Sequence, residues 1–305
     1  MKKGIAIILV MLMCTSLLFT ACSNEADAMK MLEKSSKYYN KQNNVKIDSF
    51  IESCVIYNSM YSGEPIICGT TTSVSTALYN NPFSFKSNVL SSYDDKIEDG
   101  GISFLMQNNS EIIQYALEEN DKISIYQEQD GEWLRVDLAK EDFLLNDIIG
   151  LNYIKNFDKY VSEGKILGNE KIEDKDATKA EYTFNQEYLN IMYKKYGFIE
   201  FAKKINSEDV EGVINELMKD VKLTIWFDQK SDEIIQMEIN MTSLMDAFRK
   251  VVIENNKAHL SEESYTYLNE CADKIKIKNT IKLTNINGNE DFELPEGAKE
   301  AKAFE

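Results

Sequence analysis

Residues 274–283 read Lys274-Ile-Lys-Ile-Lys-Asn-Thr-Ile-Lys-Leu283. In an extended chain Ile275, Ile277, Ile281 and Leu283 fall on one side and Lys276, Lys278 and Lys282 on the other, which is the period of a β-strand. A strand with branched aliphatics on one face and lysines on the other belongs to a sheet that is wet on one side and covered on the other. The same period of two fills the first half of the chain. Segments at Lys46–Tyr57, Ile66–Tyr79, Phe83–Tyr93, Gly101–Gln107, Glu111–Glu118, Lys122–Gln127 and Trp133–Asp137 read as successive strands. Turn chemistry separates them: Ser62-Gly63-Glu64-Pro65, Asn80-Asn81-Pro82, Gly100-Gly101, Asn108-Asn109, Asn120-Asp121 and Asp130-Gly131. Connections that short join antiparallel neighbours, so this half is expected to be a meander.

The cover must come from helices. One is expected from Asp27, as N-cap, with Ala28, Met31, Leu32, Ser35 and Tyr39 on a single face. A helical or irregular stretch spans Asp142–Val161, and a strand pair follows at Gly164–Glu173 and Thr178–Asn185. Tyr188, Ile191, Met192, Tyr196 and Ile199 mark one amphipathic helix; Val210, Val213, Ile214 and Leu217 mark another, capped by Ser207. Strands return at Lys222–Phe227 and Glu233–Met241, with short helices around Leu244–Asn255 and Glu262–Asp273 before the closing strand. Strands and helices interleaved in this way predict a single α+β domain, its sheet antiparallel and its helices on one face.

The N-terminus gives an address. Lys2 and Lys3 precede an apolar run from Ile5 to Phe19, and Phe19-Thr20-Ala21-Cys22 puts a small residue directly before a cysteine. That is the bacterial lipobox pattern, with Phe19 where leucine is usual. The expectation is a signal peptide at 1–21, lipid on the Cys22 thiol, a tether at 22–26 and one domain from 27 to 305. The competing reading is an uncleaved span, since the run approaches bilayer length. Buried methylenes contribute about 0.8 kcal/mol each, so two acyl chains on Cys22 would hold the protein at the extracytoplasmic face of the cell membrane without a spanning helix.

Losing Lys2 and Lys3 takes the formal charge from −17 to −19. A body that acidic is repelled by nucleic acid and lacks the lysine and arginine clusters that phosphate backbones require. With 10% aromatic and 28% charged residues and three prolines, the rest has the composition of a folded globular chain.

Catalytic chemistry is hard to find. The one histidine, His259, sits in a polar Asn255–Ser261 connection and reads as a surface loop residue; a triad or a zinc site needs partners gathered round it. Glu170, Glu173, Asp174 and Asp176 lack the glycine and spacing of an EF-hand and read as a solvated turn. Nothing singles out a carboxylate pair for glycoside hydrolysis. Trp133 and Trp226, each beside apolar neighbours, read as sheet-face core residues. The twelve methionines fit either core filler or an adaptable apolar cavity. The expectation is a non-enzymatic protein with no metal and no cofactor.

Three cysteines remain beside Cys14 and Cys22. Cys54 and Cys68 are equidistant from Tyr61, and a hairpin centred there would set them directly opposite each other. Export permits oxidation, and a disulfide closing a loop of this length would stabilise by about 3 kcal/mol. Two reduced thiols are the alternative. Cys271 reads as a small buried apolar residue.

Three stretches carry a resemblance: Lys122-Ile-Ser-Ile-Tyr-Gln-Glu-Gln-Asp-Gly-Glu-Trp133, Thr224-Ile-Trp-Phe-Asp-Gln-Lys-Ser-Asp-Glu-Ile-Ile-Gln-Met237 and Phe292-Glu-Leu-Pro-Glu-Gly297. With the helix after Cys22 and the meander, the mature chain resembles the LolA/LolB-like lipoproteins of bacteria, particularly those of Firmicutes. These are fold motifs and specify no chemistry. The resemblance implies a strongly curved antiparallel sheet, an open half-barrel with helices on its concave face, enclosing an apolar cavity. Better-known members carry lipids or lipoprotein acyl chains. A chain that is itself lipidated departs from the soluble carrier, since it cannot shuttle freely. Two functions follow as expectations: a tethered protein that binds a lipid-like ligand, and a scaffold that positions another envelope or cell-wall protein. The ligand-contacting residues are not legible.

Overall fold

The computed structural model describes residues 24–303, except 59–64, 81, 100–101, 121, 130, 140–157, 189–219, 245, 247–248, 251–252, 254–257, 259–260 and 271–275. Helix α1 covers 24–39. Strands follow at β1 Asn44–Asn58, β2 Pro65–Asn80, β3 Phe83–Asp99, β4 Ile102–Glu119, β5 Lys122–Gln129, β6 Glu132–Ala139, β7 Val161–Ile172 and β8 Lys175–Phe184. After them come β9 Lys222–Asp228, β10 Ile234–Asn240, helix α2 Glu262–Glu270, β11 Lys276–Thr284 and a short helix α3 Glu296–Lys299.

All eleven strands form one antiparallel sheet in the order β6-β5-β4-β3-β2-β1-β11-β10-β9-β8-β7. The two ends, β6 and β7, do not pair with each other, so the sheet is curved but open. The crossover that matters is β11: the last strand of the chain inserts between the N-terminal meander and the β7–β10 group and joins the halves into one sheet. Of its expected faces, Ile281 and Leu283 are buried and Lys276 is exposed, Ile277, Lys278 and Lys282 are half-buried, and Ile275 lies outside the described residues.

The expected break at Asn108-Asn109 does not occur. Gly101–Gln107 and Glu111–Glu118 belong to the single strand β4, in which Asn108 and Asn109 pair with Tyr93 and Ser92. Turn propensity here yields to a continuous ladder on β3. Asn120 and Gly131 do turn the chain, with φ of 51° and 83°, values that asparagine and glycine tolerate.

The side of the sheet that carries the core is called here its inner face. Helix α1 packs there, burying Ala28, Leu32, Ser35 and Tyr39 against Tyr182, Leu223, Ile225, Ile234 and Met237. Gly164 is required at the crossing, because a Cβ there would lie 2.7 Å from the Tyr182 ring and 3.1 Å from Ala28. Residues 24–26 of the expected tether are already helical, so Asp27 is not the N-cap of α1. Of the helix expected from Tyr188, only Tyr188 itself is described; it stacks on Phe184 with ring centroids 4.1 Å apart. The expected helix at Val210–Leu217, most of Asp142–Val161, His259, Cys271 and Cys22 lie outside the described residues.

The outer face is not simply wet. Residues after β11 cross it as a strap, and a second small core forms from Tyr115, Tyr126 and Ala298 with Trp133, Phe292 and Leu294 around them. Phe292 lies 5.6 Å from the Tyr79 ring and 5.7 Å from Tyr115, and the Tyr79 hydroxyl donates to the Glu290 carbonyl. Ala303 then bridges in parallel to Arg135 on β6. At the other end, the Asn24 amide accepts from the Ile166 N–H at 2.8 Å and donates to its carbonyl at 3.4 Å. The two ends of the described chain thus occupy the two edge strands, where unpaired backbone would otherwise invite association.

Candidate functional site

Strands β1–β4 run for 15 to 18 residues, roughly 50–60 Å of extended chain. The closed core occupies only part of that length. Cross-strand register divides the inner face into rows. The first, Val45-Leu78-Phe85-Ala116, is sealed, each member no more than 4% exposed. In the second, Ile47, Thr76 and Ser87 are buried while Gln114 and Gln127 are half-buried. Every member of the third, Ser49-Val74-Val89-Ile112, is half-buried, as are Ile51, Thr72 and Ser91 of the fourth. The inner face therefore opens progressively along the strands, and aliphatic side chains line the opening.

The polar groups of this stretch satisfy one another. Thr76 donates to Ser87 at 2.9 Å, Ser49 to Asn279 at 2.8 Å and Gln114 to Gln127 at 2.8 Å. Thr72 and Ser91 share a hydrogen bond at 3.2 Å, and Ser53 and Thr70 share another. A hydroxyl already paired within the sheet loses little when an apolar molecule replaces the water beside it, whereas an unpaired one would cost about 1–3 kcal/mol. The lining is thus mixed in residue type and apolar in behaviour.

Outside this face several of the described titratable groups are paired. Trp226 is buried on the outer face, with its indole N–H donated to Glu170 and Lys179 over its ring at 4.8 Å. The indole donor, and then Lys179, hold the Glu170 carboxyl below the usual range. Glu173 meets Lys282 at 2.5 Å and Asp176 meets Lys171 at 3.9 Å, so the acidic turn is laced to lysines. Arg135 and Asp137 pair at 2.7 Å, and this bond, with Ser124 donating to the same carboxylate at 2.8 Å, lowers the Asp137 pKa. Burial first, and a hydrogen bond to Glu233 second, push the Tyr38 hydroxyl up to about 12.

The cysteine register differs from expectation by one residue. Across β1–β2, Cys54 is opposite Gly69 and Cys68 is opposite Val55. Asn58 and Pro65 are the last partners of that ladder, so an even number of residues separates the strands and the symmetry point falls beside Tyr61 instead of on it. Direct opposition of Cys54 and Cys68 is thereby corrected. Sequence reasoning had also missed the inner-face rows; the signal available was the Ser/Thr-rich alternation of β2, Thr70-Thr71-Thr72-Ser73-Val74-Ser75-Thr76.

On the outer face, Phe50 and Leu90 are 43% and 49% exposed and flank Ser73, their common cross-strand partner. They border a recess of about 240 Å³ with Asp48, Ser75 and Asn88 at its rim. The Asn88 side-chain carbonyl there is buried and has no hydrogen-bond partner.

No protein-family profile and no curated protein sequence matches this chain. Among solved structures it is similar to LprF from Mycobacterium bovis, at 12% identity and a TM-score of 0.41, covering 88% of this chain and 97% of that one. It is also similar to the lipoprotein LppX from Mycobacterium tuberculosis (12% identity, TM-score 0.43, 87% and 98% covered). A third is a DUF1329 family protein from Desulfovibrio piger (8% identity, TM-score 0.22, 85% and 91% covered). Likeness at this level places no residue's role and no activity on this chain.

Proposed function

We propose that this is a lipid-anchored, non-enzymatic protein of the cell envelope that holds an apolar, acyl-chain-like ligand along the inner face of its sheet. Its lipid, on Cys22, would keep it at the extracytoplasmic surface of the membrane. The observation that carries the ligand reading is the graded inner face: a sealed row at Val45-Leu78-Phe85-Ala116 gives way to the half-buried aliphatic row around Val74 and Val89. Such a face suits a long, thin, apolar molecule, because its polar members are already bonded across the strands. Native mass spectrometry of the body, expressed from Ser23 onward, tests it. A bound species of lipid mass, released on denaturation, is expected; a bare polypeptide mass from every host and detergent-free preparation contradicts it.

A second reading, a scaffold for another envelope or cell-wall protein, draws on the outer-face recess between Phe50 and Leu90 and on the unpartnered Asn88 carbonyl. Under that reading Leu90→Asp abolishes capture of the partner and leaves lipid binding intact.

A further inference from the structure

We propose that the bulged edge of β7 at Leu167 rests on the bilayer that holds the Cys22 lipid, so that the body meets the membrane by this edge. The inference depends on the anchoring reading and adds an orientation to it.

One exposed leucine on a protein surface is ordinary. This one is distinguished by how it is exposed and by what lies next to it. The β7–β8 register shifts between Ile166 and Gly168, which leaves Leu167 as the extra residue of a β-bulge. Gly168 has φ of 143°, a backbone conformation that favours glycine, and Leu167 is 45% exposed. Among the described residues it is the one exposed large hydrophobic on β7–β10; Phe50, Leu90 and Val136 lie on β1, β3 and β6. Bulges at sheet edges re-aim side chains, and this one turns a leucine outward on an edge strand.

The neighbour is the start of α1. Asn24 is fixed to Ile166 by the two amide hydrogen bonds, at 2.8 and 3.4 Å. Only Ser23 separates Asn24 from Cys22, and two residue steps reach at most about 7 Å. A lipidated Cys22 sits in the headgroup layer, so the backbone at Ile166 and Leu167 is held within roughly one headgroup thickness of the acyl chains. There is no slack for this edge to stand away from the surface. The body's net charge of −19 after loss of Lys2 and Lys3 from a chain of −17 rules out general attraction to anionic lipid. The contact is therefore local and apolar, with the exposed Lys165 on the same strand able to lay its stem along the surface with its ammonium group at the phosphates.

The test uses the full-length lipidated protein in phosphatidylcholine vesicles, with Leu167→p-benzoylphenylalanine in one variant and Leu90→p-benzoylphenylalanine in another. Both positions are exposed leucines, but Leu90 lies on the outer face of β3. After flotation and irradiation, lipid adducts are counted by mass spectrometry. At least tenfold more adduct at 167 than at 90 is expected, falling severalfold in Asn24→Ala with flotation unchanged. Equal labelling at the two positions, or more at 90, overturns the orientation while leaving the anchor standing. A full-length protein that fails to float with the vesicles overturns the anchor and the orientation together.

Discussion

One hydroxyl serves both backbone groups of a strand residue: Tyr39 donates to the Ile234 carbonyl and accepts from the Ile234 N–H, each at 3.1 Å. This occurs where the β10–β11 ladder has stopped at its Gln236–Lys282 pair and the β9–β10 register shifts between Ile234 and Gln236. The last turn of α1 thus supplies from a side chain what a neighbouring strand would otherwise supply. Tyr39 is 2% exposed, and burial raises its hydroxyl pKa far above the usual value. Tyr39→Phe keeps the ring packing and strands a buried donor and acceptor. Urea denaturation should show a loss of about 2–3 kcal/mol, with an unchanged m-value. A loss below half a kilocalorie would mean that water or a shifted strand satisfies Ile234.

The strap depends on Gly297. A Cβ there would lie 2.7 Å from Cδ1 of the Trp133 indole, so a side chain must displace either the ring or α3. Gly297→Val should release residues 289–303 to proteolysis and shift Trp133 fluorescence to the red. The β1–β2 core should stay protected from hydrogen exchange. Protection lost everywhere at once would instead make the strap part of the cooperative unit.

Much of this fold was legible because period-two patterning is local. The faces of β11 follow from the alternation in Lys274–Leu283 alone, and ten of the described strands have their centres where the alternation puts them. The strand β4 was misread as two, because Asn108-Asn109 looks like a turn unless the β3 ladder beside it is known. The strap was missed for a different reason: Phe292 and Leu294 are too few to declare a period, and what buries them is Tyr79, Tyr115 and Trp133, over 150 residues earlier in the chain. The inner-face rows were invisible for the same cause, since half-burial is a property of the register between strands and not of any one of them.

Acid should loosen the outer face in a defined direction. The Arg135 hydrogen bond depresses the Asp137 pKa, and Lys282 does the same for Glu173. A depressed folded value means stability that is fully present above the ordinary carboxylate pKa of about 4 and is lost as pH falls through the lower folded value. Thermal melts between pH 6 and pH 2 should show Tm falling below about pH 4. Asp137→Asn should be less stable at pH 6 and should lose less on acidification. A variant with the same pH slope as the parent would assign the acid sensitivity elsewhere.

The β1–β2 register makes a chemical prediction. Directly paired residues in an antiparallel ladder have Cα atoms about 4.5–5.5 Å apart, inside the range of a disulfide. Val55 is the partner of Cys68. In a Cys271→Ser background, Val55→Cys combined with Cys54→Ser should form a disulfide from the new thiol to Cys68. That bond should close faster than the parental Cys54–Cys68 pair, as read by thiol alkylation and peptide mapping. Faster oxidation of the parental pair would restore the hairpin centred on Tyr61.

The central claim is that the half-buried row around Val74 and Val89 holds an apolar ligand. Val74 and Val89 are direct cross-strand partners, so Val89→Trp fills the row at its middle without touching the sealed Val45-Leu78-Phe85-Ala116 core. The decisive measurement is displacement of a fluorescent fatty acid from the body lacking the leader and Cys22, made on the parent, on Val89→Trp and on Leu90→Trp, its outer-face neighbour. The account predicts saturable micromolar binding by the parent and by Leu90→Trp, and at least tenfold weaker binding by Val89→Trp at equal thermal stability. Absence of saturable binding by the parent, or binding that Leu90→Trp abolishes and Val89→Trp leaves intact, would contradict it.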